Sequence, residues 1–209
     1  MTMRCKMMKL LYLSSSPFAR KALVCAHEVG LADRLELVPI ETNPVNSSGV
    51  VNRSNPLGKV PVLIRDDGPA LYDSVVICEY FDGLHRGPKL FPEGGEARWR
   101  ALRLHALADG LSDAAITVRR EDRRPDGLHW DGWKEAHVRK LVQTYDLVER
   151  DVELLSGPLT IGHAALATAL EWIEFRSVGP AFRPGRPRLA GWYADFARRP
   201  SMLAMPPRD

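Results

Sequence analysis

The chain has 209 residues, a length that forms one large domain or two small ones without help from disulfides or structural metal. Apolar residues make up 45% and charged residues 26%, which excludes a disordered or fibrous chain. Lys plus Arg number 29 against 26 Asp plus Glu, and the resulting +3 is too small to imply a nucleic-acid partner.

Arg4, Lys6 and Lys9 precede the apolar run Leu10-Leu11-Tyr12-Leu13, which is too short for a signal-peptide core and meets Ser14-Ser15-Ser16 at once. No segment approaches the ~20 apolar residues of a membrane span. Cys5, Cys25 and Cys78 form no CxxC pair and no metal-spaced pattern with histidine. The expectation is a cytoplasmic protein with free thiols, no bound metal and no membrane contact.

In chain order, Met7 to Leu13 reads as a buried strand. Pro17 then opens a helix carrying Leu23, Val24, Ala26 and His27 and closed by Gly30, with proline early and glycine late as helix punctuation. A second strand follows at Leu35–Ile40. Residues 42–55, rich in Asn, Ser and Pro, read as a loop with one helical turn, and Val60–Ile64 as a strand entered through Pro61. Asp66-Asp67-Gly68 is a hairpin signal before a short strand at Pro69–Leu71. Asp73-Ser74 caps a helix reaching Leu84.

This βαβ-ββα order predicts an α/β layer with a parallel β-pair over residues 1–85. Residues 86–95, with two prolines and three glycines, read as a linker. Downstream, Val138, Leu141, Val142, Tyr145, Val148, Val152 and Leu155 recur at helical spacing, as do Leu166, Leu170, Ile173 and Phe175, so residues 96–209 read as an all-helical bundle. Residues 1–85 hold nine basic and nine acidic side chains. The whole basic surplus therefore falls downstream.

Three stretches could carry chemistry. Leu13-Ser14-Ser15-Ser16-Pro17-Phe18-Ala19-Arg20-Lys21 puts hydroxyls where a strand ends and a helix begins, beside free backbone N–H groups and the positive end of the helix dipole. Asn55-Pro56-Leu57-Gly58-Lys59-Val60-Pro61 ends on a strand-leading proline; a cis bond there turns the Val60 backbone toward a peptide-like ligand. Asp73-Ser74 pairs a carboxylate for an ammonium with a hydroxyl and helix N–H groups for a carboxylate, which suits the zwitterionic end of an amino acid. Taken alone, the serine stretch reads more readily as a helix cap and Pro61 as an ordinary trans proline, and Asp73-Ser74 also reads as an N-cap.

Together they resemble the cytosolic glutathione transferases: Ser-Pro-Phe-x-x-Lys, then Asn-Pro-Leu-Gly-Lys-Val-Pro, Asp-Ser and Leu-Phe-Pro, with Ala108-Asp109-Gly110-Leu111-x-Asp113-Ala114 resembling the fourth helix of a bacterial branch. The resemblance implies a thioredoxin-like N-terminal domain that binds glutathione as co-substrate. It also implies a helical C-terminal domain that shapes a pocket for a small apolar or aromatic electrophile, and a homodimer. By motif position Ser16, and after it Ser15, matches the residue that addresses the glutathione sulfur. Phe18, Lys59, Val60 and Pro61 match the clamp on the tripeptide, while Asp73 and Ser74 match the pair holding its γ-glutamyl end. A serine here argues against the disulfide chemistry of relatives with Cys, since it cannot form a mixed disulfide. A non-catalytic binding module and a glutathione-dependent isomerase or dehalogenase share the same motifs.

Four further readings concern packing. Cys25 reads as a packed apolar residue. Thr160-Ile161-Gly162-His163 stands where relatives carry a Ser/Thr-x-x-Asp capping box, and His163 is expected to serve that role poorly. Arg119 to Arg124 reads as a solvated helix end, or as an arginine at the pocket mouth selecting an acidic substrate. Trp130 and Trp133 read as core or dimer contacts.

Overall fold

A computed structural model describes residues 7–204 and 206–208. Arg4, Cys5 and Lys6, and with them the expected free thiol of Cys5, lie outside the described residues. Two compact units divide the chain, one of Met1–Leu90 with Ala204–Asp209 and one of Phe91–Leu203. The closing residues thus group with the first unit, whereas their sequence position had placed them with the helices.

In the first unit β1 (Met8–Tyr12) leads through α1 (Pro17–Glu28) to β2 (Leu35–Pro39), and α2 (Gly49–Ser54) precedes β3 (Val62–Ile64) and α3 (Ser74–Gly83). The sheet order is β2-β1-β3, with β2 parallel and β3 antiparallel to β1. Leu10 and Leu11 are both buried, so the central strand is covered on both faces and its sequence runs apolar instead of alternating. Helices α1 and α3 pack together, burying Cys25 of one and Ile77, Cys78 and Phe81 of the other. The arrangement is thioredoxin-like.

The strand expected at Pro69–Leu71 is reduced to one bridge, Leu71 to Leu63, with backbone hydrogen bonds of 2.9 Å in each direction. Pro69 has no N–H to extend a ladder. Its carbonyl accepts instead from the Arg65 guanidinium at 3.0 Å.

The second unit is helical: α4 (Gly95–Glu121), α5 (Asp131–Arg150), α6 (Ile161–Arg176), α7 (Pro187–Phe196) and α8 (Pro200–Leu203). Its core gathers Leu104, Leu111, Leu141, Tyr145, Leu166, Leu170 and Ile173, of which the last five are among the positions expected from helical spacing, while Val152, also expected there, is exposed. Helix α6 is buried along nearly its whole length, and it lies so close to α4 that a Cβ on Gly162 would stand 2.8 Å from the Ala101 carbonyl oxygen. Only glycine fits there.

His163 corrects the expectation of a weak cap. The Thr160 N–H donates to its Nδ1 at 3.0 Å, and the capping box is complete. A backbone N–H can only donate, so Nδ1 must accept and the ring must be neutral. Burial holds its pKa below the ordinary histidine value. The folded state therefore binds fewer protons than the unfolded chain, and stability is lost as pH falls below the unfolded value of about 6.5. Urea unfolding midpoints should decline from pH 7 to 5 in the native chain. In His163→Asp, where the acceptor is a carboxylate, the decline from this site should shift to about pH 4; parallel profiles for the two proteins would refute the assignment.

Candidate functional site

The sheet register assembles the three stretches. Because Val62 pairs with Leu11 and Ile64 with Lys9, β3 begins beside the end of β1, and Pro61 enters level with the β1–α1 turn. The chain returns antiparallel through Leu71, which directs Asp73-Ser74 back to the same end of the sheet. Serines, proline and Asp-Ser pair lie at one end of the sheet.

Ser16 is the N-cap of α1, its Oγ accepting from the Ala19 N–H at 3.3 Å. With a lone pair committed to Ala19, the hydroxyl hydrogen remains to donate outward. Pro17 occupies the first turn, which contains no acidic residue, so the positive end of the helix dipole is left for a ligand's negative charge. Ser14, Ser15 and Ser16 are all half-buried. Ser14 lines a cavity of about 250 Å³ with Arg20, Leu23, Pro206 and Arg208. None of Ser15, Ser16, Pro61 and Ser74 lines it.

The Val60–Pro61 bond is cis. Among the described residues neither the N–H nor the carbonyl of Val60 makes a hydrogen bond, so this backbone pair is open to an extended ligand in the manner of an added strand. Asp73 caps α3 through its Oδ1, which accepts from the Val75 N–H at 3.1 Å, and it is exposed while Ser74 is buried. Lys59 is exposed, and Phe18 is half-buried with the Lys21 ammonium 5.7 Å from its ring centre.

One organising residue carried no role in the sequence reading. Asn55 is buried; its amide donates to the Lys59 carbonyl at 2.8 Å and accepts from the Leu57 N–H at 3.0 Å. These bonds shape the turn that delivers Lys59 and Val60. Gly58 completes it at φ +65°, where a Cβ would meet the Ser47 Cβ at 2.9 Å. The Asn-Pro-x-Gly pattern was the available signal.

Cys25 is no part of the site. It is fully buried, and a hydrogen bond with Cys78, followed by burial itself, pushes its thiol well above the ordinary value. In the second unit Glu121 is buried at 3% exposure, which corrects the picture of a fully solvated Arg119–Arg124 helix end. Trp130 and Trp133 are 67% and 43% exposed and so are not core residues of their unit. Among the described residues no group of His, Cys, Asp or Glu is arranged to hold a metal ion, and no helix is long and apolar enough to cross a membrane.

Residues 15–84 match the glutathione S-transferase N-terminal domain and residues 131–195 the glutathione S-transferase C-terminal domain. The chain is 30% identical over 203 residues to the uncharacterized GST-like protein YibF of Escherichia coli K12, covering 96% of this chain and 98% of that one. A glutathione transferase family member from Pseudomonas fluorescens Pf-5, solved with bound glutathione, superposes with a TM-score of 0.93 at 38% identity, over 97% of this chain and all of that one. A glutathione S-transferase from Methylobacillus flagellatus KT, solved with GSH bound, gives 0.84 at 34% identity, over 96% of this chain and all of that one. The chain belongs to the glutathione S-transferase family.

Because the buried Asn55 side chain makes two hydrogen bonds within the turn, Asn55→Ala should lower unfolding free energy by about 1–3 kcal/mol and weaken any glutathione binding measured by calorimetry. Unchanged binding would show that the turn is held without Asn55.

Proposed function

We propose that this protein is a glutathione transferase that adds the glutathione thiolate to an apolar or aromatic electrophile, with the Ser16 hydroxyl donating to the sulfur. The observation that carries the reading is the gathering of Ser16, the unbonded Val60 backbone and the Asp73-Ser74 helix start at one end of the sheet. The glutathione-bound relatives support the choice of ligand.

In this reading an extended tripeptide pairs with the Val60 backbone, its γ-glutamyl ammonium meets Asp73, and its α-carboxylate meets the first N–H groups of α3 beside Ser74. Phe18 and Lys59 flank the remaining chain, Lys59 toward the glycine carboxylate. The first unit then serves glutathione and the helical unit the electrophile.

A free thiol with pKa near 8.5 is only a few per cent ionised at neutral pH, and a hydroxyl donor with a helix N-terminus lowers that value by about two units. The thiol proton leaves to solvent, because Ser16 donates and does not accept it. The carbon–sulfur bond forms as the electrophile's leaving group departs with its electron pair, or as an activated double bond takes up a proton. No metal is used.

Ser16→Ala removes one hydrogen bond to a charged sulfur, which predicts a fall of about ten- to a hundredfold in kcat/KM toward a chlorodinitrobenzene-type substrate. The pKa of bound glutathione should rise in the same variant. Ser15→Ala should cost less, and full activity in Ser14, Ser15 and Ser16 variants alike would sink the hydroxyl mechanism. The protein is also proposed to work as a homodimer, for which sedimentation at micromolar concentration should give twice the monomer mass.

A further inference from the structure

The turn between α4 and α5 builds an open cavity of about 350 Å³ within the helical unit, lined by Glu121, Arg124, Leu128, Trp130 and Trp133. Its construction starts from the buried Glu121. One carboxylate oxygen accepts from the Trp130 N–H and the other from the Arg124 Nε, each at 2.7 Å. The Trp130 N–H and Arg124 hold the carboxyl below its ordinary value. One buried charge thereby closes the 121–130 loop and fixes the guanidinium against it.

The aromatic wall is equally supported. Trp130 is the N-cap of α5 and Trp133 lies one turn on, so both indoles share a face and stack at 5.8 Å between ring centres. Behind them the His137 ring packs on Trp133 at 4.4 Å and its Nδ1 bonds the Trp133 carbonyl at 2.9 Å. Lys134 pairs with Asp122 at 2.5 Å across the mouth of the loop. Polar bonds therefore hold the indoles in place although they are largely exposed to solvent.

Arg124 is the cavity's one charge with unspent donors. Its Nε is taken by Glu121, its side chain is 53% exposed, and its two Nη groups have no partner among the described residues. Glu121 has both oxygens engaged and does not compete for a ligand. A forked cation beside stacked indole faces matches a planar ring that carries a carboxylate, since the Nη pair is geometrically suited to a carboxylate and the indoles to an aromatic face. The volume sits at the lower end of small-molecule sites and suits one or two fused rings.

We propose that this cavity is a binding site for small aromatic carboxylates, with Trp130 and Trp133 as the platform and Arg124 as the anion clamp. It goes beyond the transferase reading and does not rest on it: every group in the site belongs to the helical unit, and no step of thiol chemistry is involved.

Calorimetry on the full-length protein, with 2-naphthoate and the uncharged 2-naphthamide as probes, tests it with and without saturating glutathione. Naphthoate should bind about tenfold more tightly than the amide, the effect of one hydrogen bond to a charged group. The preference should appear with or without glutathione. Arg124→Gln should erase it while keeping amide binding, and Trp133→Ala should weaken both probes. Should Arg124→Gln fail to fold, the preference in the native protein should still shrink as salt rises from 20 to 500 mM, because the clamp is partly exposed. Equal binding of the two probes, a preference that survives Arg124→Gln, or no binding at all would overturn the proposal. So would Trp130→Ala and Trp133→Ala variants that split a dimer in sedimentation, because a second copy would then be the occupant.

Discussion

Three residues of β3, paired antiparallel to β1, decide where the chemistry can be. Val62 opposite Leu11 fixes the entry point of the Val60–Pro61 segment, and Leu71 against Leu63 then fixes the return of Asp73-Ser74. A slip of one residue would exchange the faces of Val62 and Leu63, both fully buried, and shift each flanking loop relative to the end of β1. The core and the site are therefore specified by one register. Burial of the consecutive β3 side chains Val62 and Leu63, one on each face, anchors loops that are themselves largely exposed.

A second theme is the use of side chains at the beginnings of helices. Ser16 at α1, Asp73 at α3 and the Thr160–His163 pair at α6 each satisfy N–H groups that the helix itself cannot. At α5 the partner comes from another helix, as Glu121 of α4 takes the N–H of Trp130. The four devices differ in what they leave over. Ser16 keeps a hydroxyl hydrogen and Asp73 keeps a second carboxylate oxygen exposed, whereas the His163 ring is closed inside the core. Caps at that end of the sheet can therefore meet a ligand, while the α6 cap serves folding.

Much of this was legible in the residues. Proline and glycine punctuation marked α1, Asp73 marked α3, and 3.6-residue periodicity marked the helical core because those signals are local. The short strand at Pro69–Leu71 was overcalled, since a hairpin signal says nothing about how far a ladder extends past a proline. His163 was misjudged by treating charge as the requirement for a cap, when an accepting ring nitrogen in a buried neutral imidazole suffices. Glu121 lay in a charged run that reads as solvated, and nothing in sequence indicates that one carboxylate folds inward to hold a loop nine residues away. Long-range polar contacts of this kind have no periodic signature.

Cys25 and Cys78 face one another between α1 and α3 with no exposed surface. Their effect is chemical selectivity by withholding. Under the transferase activity proposed above, the protein's own cysteines would be competing sulfur nucleophiles, and alkylation proceeds through the thiolate. Burial and mutual hydrogen bonding keep Cys25 protonated, and the packing of the two helices keeps reagents from both sulfurs. An electrophile reaching the first unit would meet neither of these thiols, which leaves the reaction to sulfur that is better exposed, such as one arriving with a ligand.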